Sequence, residues 1–333
     1  MNLKEIRRTL HINAEMSGQE FRTKQILKDV LSEHHGSMIE GHDGCSLYVF
    51  YDYKKEKTVM IRAEMDGLLV ENQVRHVCGH DGHMSMVCGV SEYLNQKTDF
   101  PVNVLLVFQS SEETGAGALN VLNDPDFLRI CPDEVVGLHC FPMAETGFYV
   151  RKGIMCASGR EVKATFKGES GHCALRLKNT AIKSCTDFLH DLQRKEFEDG
   201  FISMNVLKCG TSCNQVAECA YVEGTIRALN RSSEKQMINW LKQYDADFEF
   251  LSGYPALRNA SSLVQRAVGN GAQHLDFPFY ICDDFAYYAE CLPSVYILMG
   301  MESEFPLHHA DFEFDDELLE KGVDFLIKML ENL

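Results

Sequence analysis

The order of elements in this chain predicts an α/β fold: a mixed sheet with helices on both faces, interrupted by a smaller α+β insertion. Two observations carry this. First, short buried-strand runs alternate with a helical pattern up to about residue 154. Thr58–Ala63, Val102–Phe108 and Val135–His139 read as the strands, and Met86, Val87, Val90, Tyr93 and Leu94 mark the helix between the first two. Second, the pattern changes after Gly153. Val162, Ala164 and Phe166 alternate as a half-exposed strand does, with period two.

In chain order, the first clear helix is expected to begin near Ser17. Ser17 and Glu20 have capping-box spacing, and Met16 with Phe21 has the spacing of a hydrophobic staple. Phe21, Ile26, Leu27, Val30 and Leu31 give that helix an apolar stripe. In the insertion, Ile182, Cys185, Leu189 and Leu192 mark one helix and Met237–Leu241 another. Phe201–Leu207 and Tyr221–Arg227 read as strands. The chain rejoins the first unit near Tyr254-Pro255, and a last helix carries Leu318, Leu319, Leu326, Met329, Leu330 and Leu333 on one stripe. The expected division is therefore 1–154 and 254–333 for one domain and 155–253 for the inserted one.

Composition narrows the function. A chain of 333 residues with 45 % hydrophobic content can bury a large core and exceeds the usual size of one domain. A net charge of −17 argues against a nucleic-acid partner, which needs a basic face. There is no apolar run of membrane-spanning length, and the polar start Met1–Glu5 does not read as a signal peptide. The thirteen cysteines show no disulfide-scaffold spacing and no Cys-x-x-Cys motif. Reduced thiols in the cytoplasm are expected.

Polar groups stand where the buried runs end, and in open α/β sheets ligands bind at the carboxyl ends of strands. Glu64-Met65-Asp66 closes the first strand. Cys78-Gly79-His80-Asp81-Gly82-His83 is expected as a loop before the long helix. Glu112-Glu113 follows the second strand, His139 ends the third, and Leu307-His308-His309 precedes the last helix. Thiolate, imidazole and carboxylate form the ligand set of a borderline transition metal. A Glu-Glu pair can divide its labour, one carboxylate holding metal and the other taking a proton from water. Singly, each feature is commonplace; five in succession are not. His76 and His83 are expected to include residues that orient ligands rather than bind metal.

At these residues the chain resembles the aminoacylase/carboxypeptidase family of dinuclear metallohydrolases. The resemblance is to the branch of hippurate hydrolase, N-acyl-amino-acid deacylases and auxin-conjugate hydrolases. It runs nearly end to end, through Arg8–His11 with Glu15–Gly18, Arg62–Asp66, His76–His83, Phe108–Glu113, Gly168–His172, Asp284–Tyr288 and Leu307-His308. The resemblance implies a zinc-exopeptidase-like catalytic domain and a lid that dimerises. It implies that Cys78, His80, Glu113, His139 and His308 hold two divalent metal ions, with Cys78 shared. Zinc or manganese is expected, and cobalt or nickel is admitted. Glu112 would be the general base that activates the bridging water and protonates the leaving nitrogen, and Asp66 would orient a ligand. From the lid, His172 would steady the oxyanion in the partner's site and Asn214 would meet the substrate. The implied reaction is hydrolysis of a small-molecule N-acyl amino acid by a homodimer. The alternatives are a dipeptide exopeptidase and a metal-binding homologue that has lost catalysis. Departures from the branch pattern lie in loops: Glu64 for Asp, Leu69 and Ala14 for prolines, a short Asp66–Cys78 stretch, a contracted lid, Asp283 for Glu, and His309-Ala310 for Ser-Pro.

Overall fold

A computed structural model describes residues 1–332. Leu333, expected on the stripe of the last helix, lies outside the described residues. The chain divides into two compact units. One comprises Met1–Met155, Arg258–Phe277 and Asp283 onward; the other comprises Cys156–Leu257 and Pro278–Cys282.

The first unit is built on an eight-stranded mixed sheet. Its spatial order is Ser37–Glu40, Leu47–Tyr51, Asn103–Gln109, Thr58–Glu64, Glu134–Pro142, Ser294–Met301, Gly147–Val150 and Gln273–His274. The four strands from Asn103–Gln109 to Ser294–Met301 run parallel. Three of these four are buried along their whole length, as continuous apolar strands covered on both faces should be. The helix His80–Asn95 packs on this sheet and is itself almost wholly buried. The helices Leu3–His11 and Leu319–Glu331 close over it at Gly89, where a Cβ would lie 2.5 Å from Val323 and 3.2 Å from Leu3. A side chain there would force these helices apart.

The second unit has a four-stranded antiparallel sheet ordered Gly200–Cys209, Cys219–Ala228, Ser158–Lys167 and Asp247–Tyr254. The helices Ala181–Leu192 and Arg231–Leu241 cover one face. They bury Ala181, Cys185, Phe188, Met237 and Leu241 against Val162, Ala164, Phe166, Val222 and Ile226. All thirteen cysteines are free thiols. No helix among the described residues is long and apolar enough to cross a membrane.

Three local expectations are corrected. The helix expected from Ser17 begins at Phe21, and neither Ser17 nor Glu20 forms a capping box. Glu15 does the capping instead: its Oε2 accepts from the Thr23 backbone N–H at 2.8 Å and hydroxyl at 3.0 Å. Phe21 is 58 % exposed, so there is no staple with Met16. Cys78–His83 is not wholly a loop, because the helix starts at His80. His139 does not end its strand, which continues to Pro142. The helix Leu3–His11, capped by Asn2, precedes all of these.

Candidate metal centre

The parallel strands deliver their carboxyl ends to one place in the first unit. Glu64 ends one strand, and Asp66 follows it. Glu112 and Glu113 follow the strand ending at Gln109, His139 lies within the third, and His308 follows the fourth. Cys78 and His80 arrive at the start of the buried helix. Gly79 makes that entry possible. Its φ is +84°, and a Cβ there would lie 2.4 Å from the Cys140 sulfur.

The ligand atoms of Cys78, His80 and His139 lie within 4.8 Å of one another, and so do those of Cys78, Glu113 and His308. Cys78 belongs to both groups. Its Sγ is 3.6 Å from His139 Nε2 and 3.2 Å from His308 Nε2, and His308 Nε2 is 3.5 Å from Glu113 Oε1. Glu112 Oε2 is 3.9 Å from His80 Nε2. His308 adopts a φ of +70°, rare for a side-chain-bearing residue, and its N–H is held by the Val77 carbonyl at 2.8 Å.

Hydrogen bonds select the nitrogen each histidine presents. His80 Nδ1 donates to the Asp66 carbonyl at 2.9 Å, and His139 Nδ1 donates to the Cys140 carbonyl at 2.6 Å. Both turn Nε2 to the centre. His83 is used up otherwise. Its Nε2 accepts from the Cys140 N–H at 2.9 Å, so its Nδ1 carries the proton and donates to Glu64 at 2.8 Å. That excludes His83 as a ligand, although its ring packs on His139 at 4.5 Å between centroids. His76 is buried with neither ring nitrogen bonded, and burial lowers it to about 4.

The buried atoms without a hydrogen-bond partner include His80 Nε2, Glu113 Oε1 and Asp66 Oδ1, which all belong to this centre. Buried polar atoms are nearly always satisfied, so three orphans in one place fit a cation. The electrostatics agree. Burial opposes charge on His80, yet the Asp66 carboxylate, 3.5 Å from its Nδ1, and the Glu64 and Glu113 charges raise it to about 10. Burial, with repulsion from Asp283 and Glu113, pushes the Glu112 carboxyl well above its ordinary value. Burial, with Glu113 and Glu112, does the same to the Cys78 thiol. A bound cation would relieve both and displace the His80 proton.

Sequence reasoning missed several supporting residues. Ser17 donates to Asp66 Oδ2 at 2.6 Å, and the Glu113 N–H donates to the same oxygen at 2.9 Å. Arg62 lies fully buried among Glu64, Asp283 and Asp284. Asp81 takes Arg7 Nη1 and His11 Nδ1 at 2.9 Å each, tying the start of the helix His80–Asn95 to the first helix. The Arg-Ala-Glu-Met-Asp and Asp-Phe-Ala-Tyr-Tyr segments were the available signal for the Arg62 cluster. His172 and Asn214 belong to the second unit, and both are exposed. His172 Nδ1 accepts from the Ala174 N–H at 3.2 Å, and Asn214 Oδ1 accepts from the Ser212 hydroxyl at 2.7 Å.

Residues 60–332 match the model of peptidase family M20/M25/M40. N-acetyldiaminopimelate deacetylase of Halalkalibacterium halodurans is 27 % identical over 369 residues, covering 100 % of this chain and 99 % of that protein. The enzyme of the same name from Lactococcus lactis subsp. cremoris is 27 % identical over 370 residues, covering 99 % and 98 %. Among solved structures, the Bacillus subtilis YXEP protein, described as a dinuclear metal binding peptidase from the M20 family, superposes with a TM-score of 0.85. It is 23 % identical and covers 99 % of this chain and 96 % of its own. The chain thus belongs to peptidase family M20/M25/M40 and is a hydrolase acting on amides.

Proposed function

We propose that the chain is a two-metal deacylase of small N-acyl amino acids. One observation carries the two-metal part: the Cys78 sulfur belongs to two donor groups at once. Cys78, His80 and His139 would hold one divalent ion, and Cys78, Glu113 and His308 the other. Thiolate and imidazole donors favour zinc, and manganese is the next candidate. When bound, such ions supply Lewis acidity at the acyl oxygen and make water acidic near neutral pH.

The chain's own residues do the rest. Glu112 is buried, lies 3.9 Å from His80 Nε2, and has a carboxyl whose proton affinity is raised by burial. It takes a proton from the attacking water and delivers it to the leaving nitrogen. Asp66 holds the Glu113 backbone and His80 in place. The deacetylases among the relatives act on an N-acetyl amino acid, which supports that substrate class over a dipeptide.

The test is amine release from N-acetyl, N-benzoyl and indole-acyl amino acids, N-acetyldiaminopimelate and dipeptides, with protein loaded separately with zinc and manganese. Turnover of the acyl amino acids that a chelator abolishes is the expected result. Turnover of dipeptides alone would make the chain an exopeptidase. Silence with two metals bound per chain would defeat the catalytic reading.

We also propose a homodimer through the second unit. Gly200–Cys209 is an outer strand of its sheet and exposes Phe201, Val206 and Leu207, an edge that invites pairing with another copy. In that dimer His172 would steady the oxyanion in the partner's site, and Asn214 would contact substrate. Mixing His172→Ala subunits with Glu112→Gln subunits should restore activity that neither has alone. An inactive mixed dimer of verified composition would remove His172 from this role.

A further inference from the structure

Of the two residues that form no capping box, Glu20 reaches the loop that carries the paired glutamates, and Ser17 reaches Asp66, which holds the same loop. We propose that Glu20 is a positioning residue whose carboxylate holds Ser111 in a left-handed turn, and that this turn delivers Glu112 and Glu113 to the metal centre. The inference rests on the proposed function only for what Glu112 and Glu113 do there.

Ser111 has φ of +57°, a conformation serine seldom adopts. Its neighbours hold it there. The Ser111 N–H donates to Glu20 Oε1 at 2.7 Å, across ninety-one positions of sequence. The Ser111 carbonyl accepts from the Gly117 N–H at 3.0 Å and the Thr114 hydroxyl at 3.3 Å. Two residues on, the Glu113 N–H meets Asp66 Oδ2, the oxygen that also takes the Ser17 hydroxyl. The loop is therefore held on one side of the Glu112-Glu113 pair by Glu20 and on the other by Asp66, whose carboxylate Ser17 also binds. The segment from Glu15 to Glu20 is itself fastened, since the Gly67 N–H donates to the Glu15 carbonyl at 2.8 Å.

Glu20 is completely buried. A carboxylate taken out of water persists where its bonds fix something. Because Glu15 caps the helix Phe21–Val30, capping does not account for Glu20. Its Oε1 accepts from the loop backbone at Ser111.

The experiment compares Glu20→Ala, Glu20→Gln, Ser111→Val and the double variant Glu20→Ala/Ser111→Gly. Zinc content and zinc loss to a chromophoric chelator are measured first, then kcat and KM on the best acyl amino acid. Glu20→Ala should lower kcat at least ten-fold with KM nearly unchanged and should release one of two zinc ions more readily. Glu20→Gln keeps an acceptor oxygen and should recover most of the loss. The double variant should also recover, because glycine takes a φ of +57° without an anchor. Ser111→Val should reproduce the defect with Glu20 intact, since a β-branched residue resists that φ; this arm serves if Glu20→Ala does not fold. Zinc retention and kcat unchanged in both Glu20→Ala and Ser111→Val would overturn the proposal. So would a defect that neither Gln nor the glycine double variant relieves. The zinc measurements need no turnover, so an inactive wild type would count against the deacylase reading alone.

Discussion

Glu112→Gln should lower kcat by about a thousand-fold, equivalent to about 4 kcal/mol of barrier, while two metal ions stay bound and KM changes little. Glutamine has the shape of glutamate and cannot take a proton. The Nδ1 bonds that orient His80 and His139 do not involve the Glu112 carboxyl. The loss therefore belongs to proton transfer and not to assembly of the centre. A second consequence concerns stability. The Glu112 carboxyl is pushed well above its ordinary value by burial first and then by Asp283 and Glu113. A carboxyl whose folded pKa is raised destabilises the fold as pH rises through the interval between its unfolded and folded values. Neutral glutamine removes that burden, so the metal-free variant should be at least as stable as the parent at neutral pH. Chemical denaturation without metal and single-turnover kinetics with it separate the two effects. Near-parental kcat would remove Glu112 from the role of base.

Much of the centre was legible because its donors lie in short, rare strings. Cys78-x-His80 and Glu112-Glu113 each fix two groups by local sequence, and strand order brings the strings together. What was hidden depends on distance. Ser17 and Glu20 have the spacing of a local capping box, and the same side chains equally satisfy contacts forty-nine and ninety-one residues away. Nothing local distinguishes the two uses, and Glu15 displaced them from the cap. The helix start at His80 was hidden for another reason. Its N-cap is Gly79 in the left-handed region, not a serine or aspartate whose side chain announces a helix. In the short stretch after Asp66 the chain folds into the hairpin Leu68–Val70 with Gln73–Arg75, turned by Glu71 and Asn72 at φ of +50° and +65°. Glutamate at such a position gives no turn signal, so the hairpin read as a loop.

Arg62→Met should be the most destabilising single substitution around this centre, by about 3–5 kcal/mol at neutral pH, because it strands buried carboxylates. Arg62 is completely buried and pairs with Glu64, with Asp284 at 2.5 Å and with Asp283 at 3.3 Å. Its Nε donates to Gln109 Oε1 at 3.1 Å. The other bonds in the cluster do not replace it. Gln109 Nε2 and the Ala118 N–H reach Asp284, and the Phe285 N–H and Tyr296 hydroxyl reach Asp283, but all are neutral. Burial opposes the charge on Glu64, yet Arg62 and then His83 hold its carboxyl well below the ordinary value. Burial, with Asp283 and against Arg62, raises Asp284 to about 7. The sign for the variant follows. Without Arg62, folded carboxyl values rise above unfolded ones, so folding takes up protons and the variant gains on the parent as pH falls from 8 towards 5. In the parent, Glu64 contributes stability above its unfolded value near 4.5, and that contribution fades below it. Denaturant midpoints at several pH values between 5 and 8 would show the gap narrowing with acid. A gap independent of pH would assign the loss to packing and not to charge. Arg62→Lys should recover little, because one ammonium cannot span three carboxylates and Gln109 as the guanidinium fork does. The Arg62 cluster lies directly beneath Glu64-His83, which fixes the Cys140 peptide and through its carbonyl the His139 ring. Its loss should therefore also loosen the donor group of Cys78, His80 and His139, read as faster zinc release at pH 7.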